Sequence, residues 1–300
     1  MKRGYKEINN FIDKEAADFE AAMLTSGDFA FRLAKSQIDK MDTVIEAGQT
    51  VPHVAQTQKN KNIINGISLR LANSFSTQAF KNRVGRIGEV LEIIQEDTVI
   101  YYEDQFGDIS NEAIRKSDGI VSLAEQNFQG ATTESSLYDN VFSPAIDGMY
   151  KDLYAGVTIS QFSKNAEVKV QRRLKSVLSP LYTSLIQSAS ANINALFGAD
   201  FKLVWVAYVR NSNTPKERRT FCDHYESGLD GNVFYYHIDE VLTEWSSFEG
   251  GAWGGSYPST NNNNILENRG GFNCKHSFDY YKASQVSDKS KIRAKQKGYI

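Results

Sequence analysis

The stretch SPLYTSLIQSASANINALFGADFKLVWVAYV, Ser179–Val209, joins a helical pattern to a strand pattern. Serine followed by proline is typical of a helix start, and Gly198 suits the position just after a helix end. The sequence therefore predicts a helix up to Phe197, with the buried stripe Leu181, Leu185, Ala189, Ile193 and Leu196. The β-branched and aromatic run Phe201–Val209 predicts a buried strand. The chain thus changes character near residue 199.

Upstream of this stretch, apolar residues recur at the three- and four-residue spacing of amphipathic helices. Two such sets are Phe31, Ala34, Ile38, Met41 and Ile45, and Val84, Ile87, Leu91 and Ile94. Gly27 and Asp28 predict a break and an N-cap before the first set. Residues 1–198 are therefore predicted to form a mainly α-helical body that provides assembly contacts.

Downstream of residue 199 the pattern is mixed, and the predicted fold class of the whole chain is α+β. Residues 199–283 are expected to form a small C-terminal α+β module, with one or two helical turns over Asp239–Trp245. Residues 284–300 form a basic tail with five Lys or Arg between Lys289 and Lys297. This tail is predicted to be a mobile arm that either aids solubility or contacts nucleic acid or an acidic partner.

The bulk composition excludes several classes of protein. A net charge of −2 and a pI near 6.1 argue against a chain that coats nucleic acid over its whole surface. No apolar run approaches the roughly 20 residues of a membrane span, and the N-terminus lacks the apolar core of a signal peptide. We therefore expect no membrane partner and synthesis in a cytoplasm. Two cysteines cannot form a disulfide framework, and a reducing compartment disfavours a Cys222–Cys274 bridge.

The sequence spells Cys-x-His twice, in RRTFCDHYESG and in RGGFNCKHSFDYY. Cys222, His224, Cys274 and His276 have the chemistry and the number that a structural zinc site requires, although paired zinc ligands usually have two to four residues between them rather than one. A one-residue gap directs both side chains of a pair the same way if the backbone is extended. Three interpretations stay open: a structural zinc, buried cysteines and hydrogen-bonded histidines without metal, or a catalytic Cys/His pair.

Motifs of the common catalytic families do not occur in the chain. It contains no Walker loop, no dinucleotide glycine fingerprint and no His-Glu-x-x-His. No spacing among the acidic residues of the module selects a catalytic pair. The sequence therefore predicts a protein that is not an enzyme.

The order of elements resembles the C-terminal module of the tailed-bacteriophage minor head, or head-morphogenesis, proteins. In that family an R-x-x-C motif follows a strand, and an N-C-R-[HC] motif occurs near the end of the module. The corresponding residues of this chain are Arg219-Thr220-Phe221-Cys222 and Asn273-Cys274-Lys275-His276. The resemblance covers Ser179–Tyr281, and the matching positions are Cys222, Asn273, Cys274 and His276. Many members have Cys-x-x-Cys where this chain has Cys222-Asp223-His224, a His-Pro before the asparagine, and arginine at the position of Lys275.

The resemblance implies a virion structural protein that acts at or near the portal vertex in capsid assembly or DNA packaging. Its partners would be portal or major capsid proteins in a multi-copy assembly, with packaged DNA as a partner of the basic tail. Two alternatives are a toxin-like or hydrolytic effector that uses the Cys/His cluster, and a nucleic-acid-binding module.

Overall fold

The computed structural model describes residues 5–75, 78–210, 220–225, 234–247, 249–254, 256, 258–268, 274 and 276–300. The helices up to the strand-forming region are α1 (Tyr5–Ile38), α2 (Gln58–Phe75), α3 (Gln78–Phe106), α4 (Asn111–Ala131), α5 (Glu134–Leu137), α6 (Ser143–Ala155) and α7 (Ile159–Asp200). Those beyond it are α8 (Thr220–Tyr225), α9 (Ile238–Glu244), α10 (Ile265–Asn268) and α11 (Asp288–Gln296). No helix in these ranges is both long enough and apolar enough to cross a bilayer.

Two small antiparallel sheets accompany the helices. Strands β1 (Thr43–Val44) and β2 (His53–Val54) form a short ribbon. Strands β3 (Trp205–Arg210), β4 (Tyr236–His237) and β5 (His276–Tyr281) form a sheet in the order β4–β3–β5, with Tyr208 opposite Phe278. The predicted fold class is confirmed: a mainly helical body is followed by a small α+β module.

The chain divides into two compact units, each assembled from segments that are distant in sequence. The first unit comprises Met1–Glu15, Gly88–Glu125 and Thr183–Ile300, and the second comprises Ala16–Ile87 and Gln126–Tyr182. These units do not follow the predicted division into residues 1–198, 199–283 and 284–300.

The second unit has an aromatic centre. The rings of Phe19 and Tyr182 stack with their centroids 4.0 Å apart, and Phe128 meets both rings edge-on. At Gly27, a Cβ would lie 2.6 Å from Leu174 Cδ1, so the glycine permits close contact between α1 and α7. The predicted helix break at Gly27 is wrong, because α1 continues through it.

The first unit places the end of α7 against the sheet. Asn194 accepts a hydrogen bond from the Tyr102 hydroxyl (2.7 Å) and donates one to the Phe278 carbonyl (2.7 Å). On the same strand, Ser277 Oγ lies 3.3 Å from Asn9 Nδ2 of α1. Residues from α1, α3 and α7 therefore support β5 directly or through one neighbour.

The predicted limits of the helix before the sheet are wrong. Pro180 lies inside α7, flanked by the buried residues Leu178 and Tyr182, so tertiary packing outweighs the missing backbone donor. Gly198 also lies inside the helix, where a Cβ would meet the ring of Tyr280 at 2.6 Å. The buried stripe is partly shifted by one residue from the predicted one and consists of Tyr182, Ile186, Ala189, Ile193 and Phe197.

The basic tail is ordered rather than mobile. It forms α11, with the Ser287 side chain as N-cap and with Val286 and Ala294 buried beside Trp205. Arg293 and Lys297 form ion pairs with Glu240 of α9, whose side chain is only 1% exposed. The prediction of a mobile arm is therefore wrong, because burial and charge pairing hold the segment in place.

Candidate metal centre

Three of the four predicted ligands lie together in the module. Cys222 comes from α8, Cys274 lies two positions before β5, and His276 is the first residue of that strand. The two Sγ atoms are 3.8 Å apart, and one ligand atom from each of the three residues falls within 4.8 Å of the others. All three side chains are buried. This group could hold a metal ion.

The fourth predicted ligand, His224, is not a member of this group. Cys222 and His224 lie in a helix, where residues two apart point about 200° away from each other. Phe221, Cys222 and Tyr225 face the interior, while His224 is exposed. The assumption of an extended backbone therefore fails for this pair.

The side chains of the second pair do meet. The backbone becomes a strand at His276, and the imidazole Nδ1 lies 3.6 Å from Cys274 Sγ. Residues at alternate positions of an extended chain share one face, so these two side chains meet. Cys222 then completes the group from the helix that packs on this face.

Tyr208 of β3 adds a further polar atom to the group. Its hydroxyl oxygen lies 3.0 Å from Cys274 Sγ and 3.6 Å from Cys222 Sγ, and its ring stacks on the His276 imidazole at a centroid distance of 4.7 Å. Complete burial, with both sulfurs close by, raises the pKa of the Tyr208 phenol well above its ordinary value. The phenol therefore stays protonated at neutral pH and can donate its hydrogen to sulfur.

Aromatic rings surround the group and keep the site apolar. Phe278 lies 4.6 Å from the Tyr208 ring, and Phe221 stacks on Trp253 at 4.6 Å. Tyr225 packs against Phe221 at 4.8 Å. In such surroundings an ionised sulfur is stable only beside a compensating charge, which a bound cation would supply.

The two cysteines are free thiols in this structure. Their sulfurs are further apart than the roughly 2.05 Å of a disulfide bond. Three positions used in the sequence comparison with the phage proteins, Arg219, Asn273 and Lys275, lie outside the described residues.

Comparison of the chain with protein-family models, with curated proteins and with solved structures finds no match. The geometry of the cluster is thus the structural basis for any functional inference.

Proposed function

We propose that this chain is a structural protein of a tailed-bacteriophage head, acting through protein contacts at or near the portal vertex. The observation that carries the proposal is the clasp formed by Cys222, Cys274 and His276 across the terminal module. These are three of the four positions on which the resemblance to the minor head proteins depends. A buried clasp of this kind stabilises a small module and leaves the helices to make assembly contacts.

The metal proposed for the clasp is zinc. A tetrahedral zinc with Zn–S near 2.3 Å and Zn–N near 2.0 Å separates two sulfurs by about 3.8 Å and a sulfur from a nitrogen by about 3.6 Å. Two of the three separations, Cys222–Cys274 and Cys274–His276, are 3.8 and 3.6 Å, and the third pair, Cys222 and His276, lies within 4.8 Å. Thiolate and imidazole are the donors that zinc prefers. When bound, zinc would be held by these three residues and would tie α8 to the start of β5.

A structural role suits the site better than a catalytic one. Structural zinc sites usually have four protein ligands, whereas catalytic sites have three and keep an open position that water or substrate can reach. Three donors are present here, so it is their burial that favours the structural role. Here the three donors are at most 8% exposed, and the Tyr208 phenol faces both sulfurs. The effector-enzyme alternative needs a nucleophile that substrate can reach, and these sulfurs are covered by aromatic rings. We therefore propose that the protein is not an enzyme.

The packing of the tail limits which of its side chains could contact DNA. Arg293 and Lys297 are engaged by Glu240, and Lys297 also pairs with Glu244. Lys295 is exposed on the same helix. Any phosphate contact by the tail would come from the outward side of α11 and would weaken steeply with salt.

Cryo-electron microscopy of phage particles that carry this gene tests the proposal. We expect the polypeptide to co-purify with capsids and to account for density at the portal vertex. His224→Ala should be incorporated like the wild type, because His224 lies outside the clasp, whereas Cys274→Ser should be incorporated less. Recovery of the wild-type chain only in the unassembled fraction would show that the proposal is wrong.

A further inference from the structure

One exposed face of α3 is acidic and carries two isoleucines. Its members lie within about 120° of arc and extend over about 22 Å of helix: Glu89, Glu92, Ile93, Glu96, Ile100, Glu103 and Asp104, all exposed. We call this the α3 face. Ile93 and Ile100 are 38% and 51% exposed, and the sequence from Gly88 to Phe106 contains no Lys or Arg. Exposed branched apolar side chains flanked by like charges indicate a surface that a cationic, partly apolar partner would fit.

A second face, on α7, has the opposite charge and the same kind of spacing. Lys164, Val168, Arg172 and Lys175 follow one another at three- and four-residue steps and are all exposed. We call this the α7 face. Val168 is 40% exposed at its middle, and Lys175 remains 61% exposed although it pairs with Glu20. In contrast, Lys169 points away from this face and is bound to Asp152.

We propose that the α3 face of one copy of this chain binds the α7 face of a second copy. The two stripes are opposite in charge, and they share helical spacing and an exposed apolar side chain between the charges. Paired helices commonly combine an apolar seam with flanking ion pairs of opposite sign. Because the two faces differ, two copies can pair them reciprocally in a closed dimer, or repeat the contact head-to-tail in a ring or an open chain. This inference does not depend on the viral assignment.

The other cationic helix, α11, is a weaker candidate for the same partner. Two of its cations already pair with Glu240, and Lys289 lies over the Phe234 ring. Lys291 and Lys295 retain exposure on its outer side. Substitution of these two lysines by glutamate therefore provides a control that changes the net charge as much as the same substitution of two cations on the α7 face.

Charge-reversal variants test the contact by sedimentation velocity at about 0.01 M ionic strength, where the Debye length is about 30 Å. The α3-face variant carries Glu96→Lys and Glu103→Lys, and the α7-face variant carries Lys164→Glu and Arg172→Glu. The α3-face variant reduces the net charge of its altered face from −5 to −1, and the α7-face variant changes that of its face from +3 to −1. Each variant alone therefore loses most of the attraction between the two faces, so we expect its self-association to fall at least about tenfold below that of the wild type. Mixed in equal amounts, the two variants should associate again.

The matched control is Lys291→Glu with Lys295→Glu. This control should self-associate like the wild type. A mixture of the control with the α3-face variant should associate no more than a mixture of the wild type with that variant. Ile100→Ser should weaken the wild-type contact without changing charge, and circular dichroism should show unchanged helix content in every variant. A wild type that stays monomeric at low salt, or a variant mixture that stays monomeric, would overturn the proposal. Equal loss of association in the α11 control would overturn it as well.

Discussion

Cys274 and His224 differ in what they contribute, although both belong to a Cys-x-His pair. Cys274 is buried against Cys222, Tyr208 and His276, whereas His224 lies outside this group. We expect Cys274→Ser to lose the bound zinc and the stability that binding provides, about 4 kcal/mol when zinc is present at 1,000 times its dissociation constant. His224→Ala should keep both. Elemental analysis and thermal unfolding of purified protein measure these two quantities.

The same pair of variants separates the competing interpretations of the cluster. If His224→Ala loses zinc as completely as Cys274→Ser, the three-residue ligand set is wrong. If the wild type binds no zinc and Cys274→Ser still unfolds at a lower temperature, the cluster is packing without metal.

Asp279 is a buried acid on the opposite side of β5 from His276. Its carboxylate accepts a hydrogen bond from Ser277 Oγ at 2.8 Å, and burial raises its pKa to about 7. The phenols of Tyr101 and Tyr281 are close enough that the carboxylate contributes to raising their pKa values. A raised carboxyl pKa means that the folded protein holds a proton that the unfolded chain has released. The stability associated with this group is complete below about pH 4 and is lost as the pH rises through about 7.

Asp279→Asn should remove this dependence, because the amide resembles the protonated acid and does not titrate. The free energy of unfolding of the variant, relative to that of the wild type, should rise by up to about 1.4 kcal/mol per pH unit between pH 4 and 7. Urea unfolding across this range measures the difference, with Asp108→Asn at an exposed position as the control. A difference that does not change with pH would contradict the raised pKa.

Helices were predictable from apolar spacing, but their ends were not. The stripe Ile87, Leu91 and Ile94 is fully buried, as the spacing predicts. Gly27 and Gly198 look like helix ends in sequence, yet each permits a close contact with a side chain from elsewhere in its unit. Long-range packing of this kind leaves no local pattern, so sequence reasoning assigned both glycines to caps.

The candidate metal site was predictable only in part, for a related reason. The rarity of cysteine and histidine made Cys222, Cys274 and His276 conspicuous. His224 was included because nothing local indicated that α8 is helical. Tyr208 was missed because an aromatic residue in a strand ordinarily means core packing, and only the register with β5 brings its hydroxyl to the sulfurs.

The charge pattern of α11 suggested a mobile arm because its partner, Glu240, is distant in sequence. Glu240 lies 3.2 Å from Arg293 Nη2 and 3.0 Å from Lys297 Nζ. We expect Glu240→Gln to destabilise the packing of α11 by about 1–3 kcal/mol, since the two cations lose a buried acceptor. Hydrogen exchange of the amides in residues 288–296 should accelerate by about tenfold or more.

Glu244→Gln is the matched control for this change, because Glu244 is 28% exposed and bonds Lys297 but not Arg293. Its effect should stay below about 1 kcal/mol, as for exposed ion pairs. Rapid exchange of α11 in the wild type would instead indicate that the helix is not held by Glu240.

The first unit is built from three separate segments of the chain, and this determines which part of the chain can fold alone. Its sheet receives Asn9 from α1 through Ser277 and Asn194 from α7 through the Phe278 carbonyl. Tyr102 of α3 in turn holds Asn194. A protein cut at the predicted boundary, residues 199–300, would lack all three side chains and the helix surface at Gly198 that covers Tyr280.

We therefore expect residues 199–300 expressed alone to be unfolded or molten, with a poorly dispersed amide proton spectrum. The Tyr280 ring, which is 4% exposed in the full chain, would lose its cover at Gly198, and burial of such a ring contributes about 1.5–3 kcal/mol. Co-expression with residues 1–198 should restore a dispersed spectrum by supplying the missing helices. If the fragment alone gives the dispersed spectrum, the boundary near residue 199 marks an independent domain, and the helices add contacts that the module does not need.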